Sequence, residues 1–197
     1  MAAPSLDTPR LILRPAAVAD AEALWPCVSD PALPYHMTWE AHRDLDETRA
    51  FLGACEASAA RGESATWVAF ERSGPFVGLV GLDGIVRQLR AWRRDVGELG
   101  YWTAPPQQGR GFMREAAGAV LAAGLSDLAL HKVTVGCIAE NLASKRVIES
   151  LGFRFVGTQR DHANRHGRWW DHLSYELTQP EWRAAQARRE GAAREGA

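Results

Sequence analysis

The sequence predicts a single mixed α/β domain: a central, mostly antiparallel sheet that holds one parallel pair and is flanked by helices. Three observations predict it. Apolar residues recur with helical spacing in some segments and alternate in others, in the order strand, two helices, three strands, helix, strand, helix, two strands. The strand–helix–strand run from Asp95 to Ile138 has the length of a parallel crossover. The chain has 197 residues, 46% apolar and 24% charged, enough for one core, and shows neither an internal repeat nor a linker.

Arg10 to Arg14 alternates charged and apolar side chains and reads as the first strand. Ala19 to Val28 has helical spacing and is broken by the prolines of Asp30 to Pro34. Asp44 to Arg61 is a second helix, with Leu45, Thr48, Phe51, Leu52 and Cys55 on one face and Gly62 as its stop. Ala65 to Glu71 and Phe76 to Val86 are strands joined by a turn at Ser73-Gly74-Pro75. Arg87 to Arg94 reads as a charged loop or hairpin tip, and Asp95 to Thr103 as a strand ended by Pro105 and Pro106. Phe112 to Leu128 is a helix, Lys132 to Ile138 a β-branched strand, and Asn141 to Leu151 a helix stopped by Gly152. Phe153 to Thr158 and Trp169 to Leu177 form a closing antiparallel pair. The core covers about residues 8 to 178, and residues 181 to 197 are expected to be a fraying helical tail.

Composition excludes several classes. A net charge of −1 provides no chain-wide field for nucleic acid. Cys27, Cys55 and Cys137 are far apart and form no CxxC pair, so neither a disulfide framework nor a metal site is expected. No apolar run reaches the ~20 residues of a membrane span. Met1 to Thr8 does not read as a signal peptide, and the expected location is the cytoplasm.

The segment Gln107-Gln108-Gly109-Arg110-Gly111-Phe112-Met113-Arg114 lies between a strand and a helix. Glycines there let the backbone approach a ligand, and a helix N-terminus adds unpaired N–H donors and partial positive charge. Arg110 and Arg114 add cations, and pyrophosphate is the natural guest. The plain alternative is a glycine-bearing turn that only starts a helix. No Gly-Lys-Ser/Thr follows, so the loop is not a Walker loop, and the dinucleotide fingerprint with three glycines is absent too.

Gln108-x-x-Gly111-x-Met113 resembles the Gln/Arg-x-x-Gly-x-Gly/Ala signature of the GNAT acetyltransferase superfamily, with Met113 at the last position. Arg10-Leu11-Ile12-Leu13-Arg14-Pro15, Gly97-Glu98-Leu99-Gly100-Tyr101-Trp102, Asn141-x-x-Ser144 with Glu149 to Phe153, and Gly167-x-x-Trp170-Asp171-x-x-x-Tyr175 are similar to motifs of the subgroup that acetylates ribosomal-protein N-termini. The resemblance implies a GNAT-like domain whose parallel strands splay, and acetyl-CoA as cosubstrate. It implies that the backbone of Gln108, Gly109, Arg110, Gly111, Phe112, Met113 and Arg114 holds the pyrophosphate. The pantetheine arm would run along Tyr101, Trp102 and Thr103 as an added strand, with one N–H near Trp102 or Thr103 donating to the thioester oxygen.

It also implies that Asn141 contacts the pantetheine and that Ser144 serves the leaving thiolate. Asn141 can equally cap its helix, and a hydroxyl in a first helical turn is common. Other members carry a tyrosine one turn along this helix, where this chain has Val147-Ile148. Glu98 is the candidate base, with His131 and His162 as alternatives; an ion pair with Arg87 or Arg94 is the competing role for Glu98. Alternation puts Glu98, Gly100 and Trp102 on one face and Leu99 and Tyr101 on the other, and both faces stay open as the cleft. Cys137 has no visible His/Asp partner, so transfer is expected to be direct rather than through an acetyl-enzyme.

Tyr35, His36 and Trp39, with Trp170 in the closing hairpin, are the expected acceptor wall; hydrophobic packing explains Trp39 and Trp170 equally. The expected acceptor is a protein α-amino group. A small amine (antibiotic, polyamine or amino acid) and a non-catalytic acyl-CoA-binding module are the rivals. The basic tip around Trp92 reads as a solvated hairpin rather than a nucleic-acid surface. No membrane or nucleic-acid partner is expected, and the chain is a monomer or homodimer.

Overall fold

The computed structural model describes residues 3–195. One eight-stranded sheet forms its centre, in the order β1-β2-β3-β4-β5-β6-β8-β7. The strands are β1 (Leu6–Asp7), β2 (Leu11–Pro15), β3 (Ala65–Glu71), β4 (Phe76–Leu89), β5 (Trp92–Thr103), β6 (Lys132–Ile138), β7 (Arg154–Arg165) and β8 (Arg168–Thr178). The helices are α1 (Ala21–Val28), α2 (Leu45–Ala60), α3 (Phe112–Leu125), α4 (Leu142–Ser150) and α5 (Gln179–Glu195). All neighbouring strands are antiparallel except β5 and β6, which are parallel over only Val96–Glu98 against Lys132–Thr134.

Two apolar clusters lie on opposite faces of the sheet. On one, Leu82, Leu99, Val133 and Val135 pack with Phe112, Ala116, Val120 and Leu121 of α3 and Ile148 of α4. On the other, Val68, Leu79 and Trp102 pack with Leu24 and Val28 of α1 and Leu52 of α2. Each fully buried leucine contributes about 1.5–3 kcal/mol of transfer free energy, so this two-sided burial holds the sheet between its helices.

Several boundaries differ from the sequence reading. Arg87–Arg94 is a hairpin tip, one of its two expected readings, with longer strands than expected: β4 runs to Leu89, β5 begins at Trp92, and only Arg90-Ala91 turn. Exposed charged strand residues carry no apolar alternation, and backbone pairing extends the ladder without it. The same holds for the closing hairpin, whose strands run to Arg165 and from Arg168 around His166-Gly167. The short β1 was not expected. The tail is a helix as expected, α5, which begins at Gln179 with Pro180 in its first turn, where proline forfeits no helical bond, and Trp182 packs against the core. Residues 196 and 197 of the expected tail lie outside the described residues. Asn141 is the N-cap of α4, with its Oδ1 accepting the Ser144 N–H at 3.1 Å. Among the described residues no helix is long and apolar enough to cross a membrane.

Candidate active site

The glycine loop follows a 3₁₀ turn at Pro105–Gln107 and leads into α3. Gly109 and Gly111 have φ of +73° and +75°, a left-handed backbone that disfavours any Cβ. Among the described residues, no hydrogen bond is made by the N–H groups of Gly109, Arg110, Gly111, Phe112, Met113 or Arg114. The side chains of Phe112 and Met113 are core, so these two can serve a ligand only through their backbone. One expectation fails: Arg110 is not a free cation. Its guanidinium bonds Glu71 at 2.7 Å and also pairs with Gln107. It lies 4.4 Å from the Phe112 ring, with Arg10 at 4.6 Å. Sequence cannot show that β3 brings Glu71 there. Arg114 stays exposed on the first turn of α3. Arg10 ties the loop down, donating to the Arg110 carbonyl at 3.1 Å and to Glu115 at 2.6 Å.

Beyond Glu98 and Thr134, β5 and β6 diverge. The Ala104 N–H donates to Val77 of β4 at 2.9 Å, and Thr103 lies opposite Gly78. Every second residue of β5 therefore bonds β4, which turns the N–H and C=O groups of Leu99, Tyr101 and Thr103 towards the splay. Trp102 faces β4 instead, so the expected donation from Trp102 is excluded by register, whereas Thr103 keeps that option. Gln108 donates its side-chain amide to the Thr103 carbonyl at 3.2 Å and so joins the glycine loop to the end of the splay.

On the α3/α4 face of the splay, polar groups are paired. The Tyr101 hydroxyl lies 2.9 Å from Ser144 Oγ and 3.2 Å from the Ser144 carbonyl. Burial pushes the Tyr101 phenol up to about 12, so it keeps its proton. Burial also raises the Cys137 thiol, against a hydrogen bond from Ser144 that lowers it. A raised thiol is a poor nucleophile. Tyr101 thus brings a phenol to Ser144 from β5, while α4 itself has Val147-Ile148 one turn on.

On the opposite face Ser174 accepts from the Gln159 side-chain amide at 3.1 Å, while Glu98, Asp83 and the His172 ring make no hydrogen bond or ion pair among the described residues. Glu98 shares this face with Trp102 and makes no ion pair with an arginine among the described residues; Arg87 and Arg93 both turn to the buried Asp95. Its cross-strand neighbour is Asp83. Crowding by protein atoms, and then the Glu98 charge, raise the Asp83 carboxyl above the usual range. Gly81 and Gly100 face each other across β4 and β5, which keeps the floor low beside this pair. His172, which sequence reading passed over, lies on the same face: a Cβ built on Gly136 would fall on its ring. His162 stacks on His172 with centroids 4.8 Å apart. His131 is excluded as a base near the splay, since it precedes β6 at the sheet's other end and its N–H bonds Asp95 at 2.7 Å.

The two expected wall segments meet over this face. Arg165 donates to the Met37 carbonyl at 2.6 Å and to the Trp39 carbonyl at 3.0 Å, and His166 stacks on Tyr35 at 4.6 Å. His36 and Trp170 meet edge to face at 5.5 Å. Trp170 is only 4% exposed and donates its indole N–H to Arg165 at 2.9 Å, and Trp39 packs towards Trp102. Tyr35 is the open member, 47% exposed. Trp170 and Trp39 therefore build the wall, and Tyr35 presents its surface.

Residues 10–154 match the family model described as an acetyltransferase (GNAT) domain. The chain belongs to the GNAT acetyltransferase family. Membership makes it an acetyl-CoA-dependent acyltransferase. It is 25% identical to YoaA of Bacillus subtilis, described as an uncharacterized N-acetyltransferase, over 90% of this chain and 98% of that protein. It is 33% identical to YnaD of the same organism over 43% of this chain, a match that spans 50% of YnaD. Among solved structures, the fold resembles RimL, a ribosomal L7/L12 α-N-protein acetyltransferase in complex with coenzyme A (TM-score 0.80, 19% identity, 89% of this chain and 98% of that one). It also resembles the spermidine N-acetyltransferase of Vibrio cholerae with CoA and spermine (TM-score 0.78, 20% identity, 89% and 99%). These likenesses bear out the fold expected from the motifs.

Proposed function

We propose that this GNAT enzyme transfers acetyl directly from acetyl-CoA to a primary amine in a ternary complex, and that the amine is the α-amino group of a protein. The observation that supports direct transfer is the splay itself. Backbone groups of Tyr101 and the Thr103 N–H line it, and hydroxyl groups flank it on one face while ionisable groups flank it on the other. Free N–H groups of Gly109 to Arg114 would hold the pyrophosphate. The amine would attack the thioester carbon. An N–H on the splay edge, such as that of Thr103, would donate to the developing oxyanion. As the C–S bond breaks, the Ser144 hydroxyl would donate to the thiolate, with Tyr101 and the Asn141 cap fixing its position. The α-amino acceptor is supported by the likeness to RimL and by an exposed aromatic, Tyr35, at the rim of the wall.

A small cationic amine is the second reading, favoured by the unpaired Asp83 and Glu98 on the floor and by the likeness to the spermidine enzyme. Thiol release from acetyl-CoA, measured over peptides with free α-amino groups and over polyamines, separates the two. Turnover of peptides beginning Ala or Ser, above that of spermidine, is the expected result. Preference for spermidine overturns the acceptor assignment. Binding of acetyl-CoA by calorimetry without turnover of any amine overturns the enzyme reading.

A further inference from the structure

We propose that His172 is the catalytic group that takes the proton from the attacking amine. This deepens the acetyl-transfer reading above and rests on it. The place of the ring is the first support. His172 lies opposite Ile138 in the β6–β8 ladder, and its Cε1 and Nε2 sit over Gly136 on the strand that has just parted from β5. A residue with a Cβ at 136 would displace the ring. The position is on the face opposite Tyr101 and Ser144, so an amine approaching from this side meets the thioester with the leaving sulfur's partners beyond it.

The second support is that the ring is unsatisfied. His172 Nδ1 is the single buried side-chain nitrogen or oxygen without a hydrogen-bond partner among the described residues. Buried polar atoms are seldom left so without a reason. Nδ1 is sealed from solvent, which leaves Nε2, over Gly136, as the nitrogen a bound amine can reach. The third support is the company. His162 stacks on the ring from β7, Glu98 faces it from β5, and Asp83 stands behind Glu98 on β4. Of the neighbours on β8, Glu176 is held by Lys132 and Arg154. From β6, Thr134, Gly136 and Ile138 bring no charge. Burial first, and then His162, lower the His172 pKa below its usual value, while Glu98 raises it. The neutral, proton-accepting imidazole is therefore the resting form near neutral pH. In the step itself the amine nitrogen bonds the carbonyl carbon and its proton passes to Nε2. The carbonyl electron pair then returns and expels the thiolate, and the imidazolium releases its proton to solvent.

The test is the pH profile of kcat/KM for thiol release, with acetyl-CoA and the best acceptor from a panel of Ala- and Ser-initiated peptides and polyamines. It compares wild type, His172→Gln, Glu98→Gln and Gly136→Ala, each with its acetyl-CoA affinity by calorimetry. His172→Gln should lower kcat by roughly 10²-fold or more, as loss of a positioned base does. It should also abolish the acid limb and leave acetyl-CoA affinity within about twofold, little enough to show an intact coenzyme site. Gly136→Ala, which keeps the imidazole but moves it, should lower kcat in the same direction. Glu98→Gln should keep an acid limb and shift it to lower pH, because the charge that favours the imidazolium is gone. An unchanged profile and rate in His172→Gln overturns the proposal, as does loss of turnover and acid limb in Glu98→Gln alone, which would make Glu98 the base. A wild type that binds acetyl-CoA but turns over no amine overturns the underlying acetyl-transfer reading, a result separate from any difference between variants.

Discussion

The two faces of the splay differ in one respect: on the α3/α4 face Ser144, Tyr101 and Asn141 are bonded to each other, and on the α1/α2 face the ionisable groups Glu98, Asp83 and His172 make no hydrogen bond or ion pair among the described residues. Ser144 is held by Tyr101 and by the Asn141 cap, and Asn141 to Ser144 is a local motif. Glu98, Asp83, His172 and His162 come from four different strands and lack such partners among themselves, apart from the histidine stack. A pre-bonded side suits a constant ligand, since acetyl-CoA never varies. An unpaired side suits an acceptor that supplies the missing bonds on arrival, and that side carries the choice of substrate.

The comparison can be broken first at the coenzyme side, where the largest effects are expected. Gly111→Asp puts a Cβ on a left-handed backbone, at a cost of roughly 1–2 kcal/mol, and sets a carboxylate at the anion site. Acetyl-CoA affinity should fall by about 100-fold or more, each tenfold being about 1.4 kcal/mol; unchanged affinity in calorimetry would contradict the loop assignment. Ser144→Ala removes a hydrogen bond to a developing charge, a loss of roughly 1.5–3 kcal/mol. Its kcat should fall about 10- to 100-fold on the scale of 1.36 kcal/mol per tenfold, with acetyl-CoA affinity kept.

On the acceptor side the effects should fall on KM and stability. Arg165→Ala unclasps the hairpin from Met37 and Trp39. Acceptor KM should rise about tenfold, for loss of one or two net hydrogen bonds of roughly 1 kcal/mol each, while acetyl-CoA affinity stays. A variant with normal KM would show that the wall does not position the acceptor. Burial is the chief cause lowering the pKa of His36, His42 and His172 in the folded chain. The unfolded chain, with histidine near 6.5, binds protons first. Stability should therefore fall as pH drops through about 6.5 towards the lower folded values, read as a lower melting temperature at about pH 5.5 than at pH 7.5. Asp83→Asn should give the smallest change and the opposite sign: removing a crowded carboxylate beside Glu98 stabilises by a few tenths of a kcal/mol after solvent screening, or about 1 °C.

What sequence made legible divides along the same line. The glycine loop, the Asn141 cap and the strand–helix–strand crossover are local, so chemistry within a dozen residues declares them. The mixed α/β class and the parallel pair followed from the order of periodic segments. The Arg110–Glu71 pair, the Tyr101–Ser144 contact and the Arg165 clasp join segments far apart in the chain, and no local pattern announces them. His172 escaped for a related reason. Its meaning depends on the register that lays it over Gly136, and a one-residue slip would send it to the other face. The extended hairpins escaped because exposed charged strands lack the alternation that reading relies on.

The account's central claim is that the two faces divide the chemistry around a sulfur lying in the splay. A crystal structure of the protein with coenzyme A tests it directly. The account predicts the sulfur between Leu99–Thr103 and Val135–Ile138, with Ser144 Oγ within hydrogen-bond reach on one face and the His172 ring facing the opposite side. A sulfur outside the splay, or one with Ser144 and His172 on the same side, would contradict it.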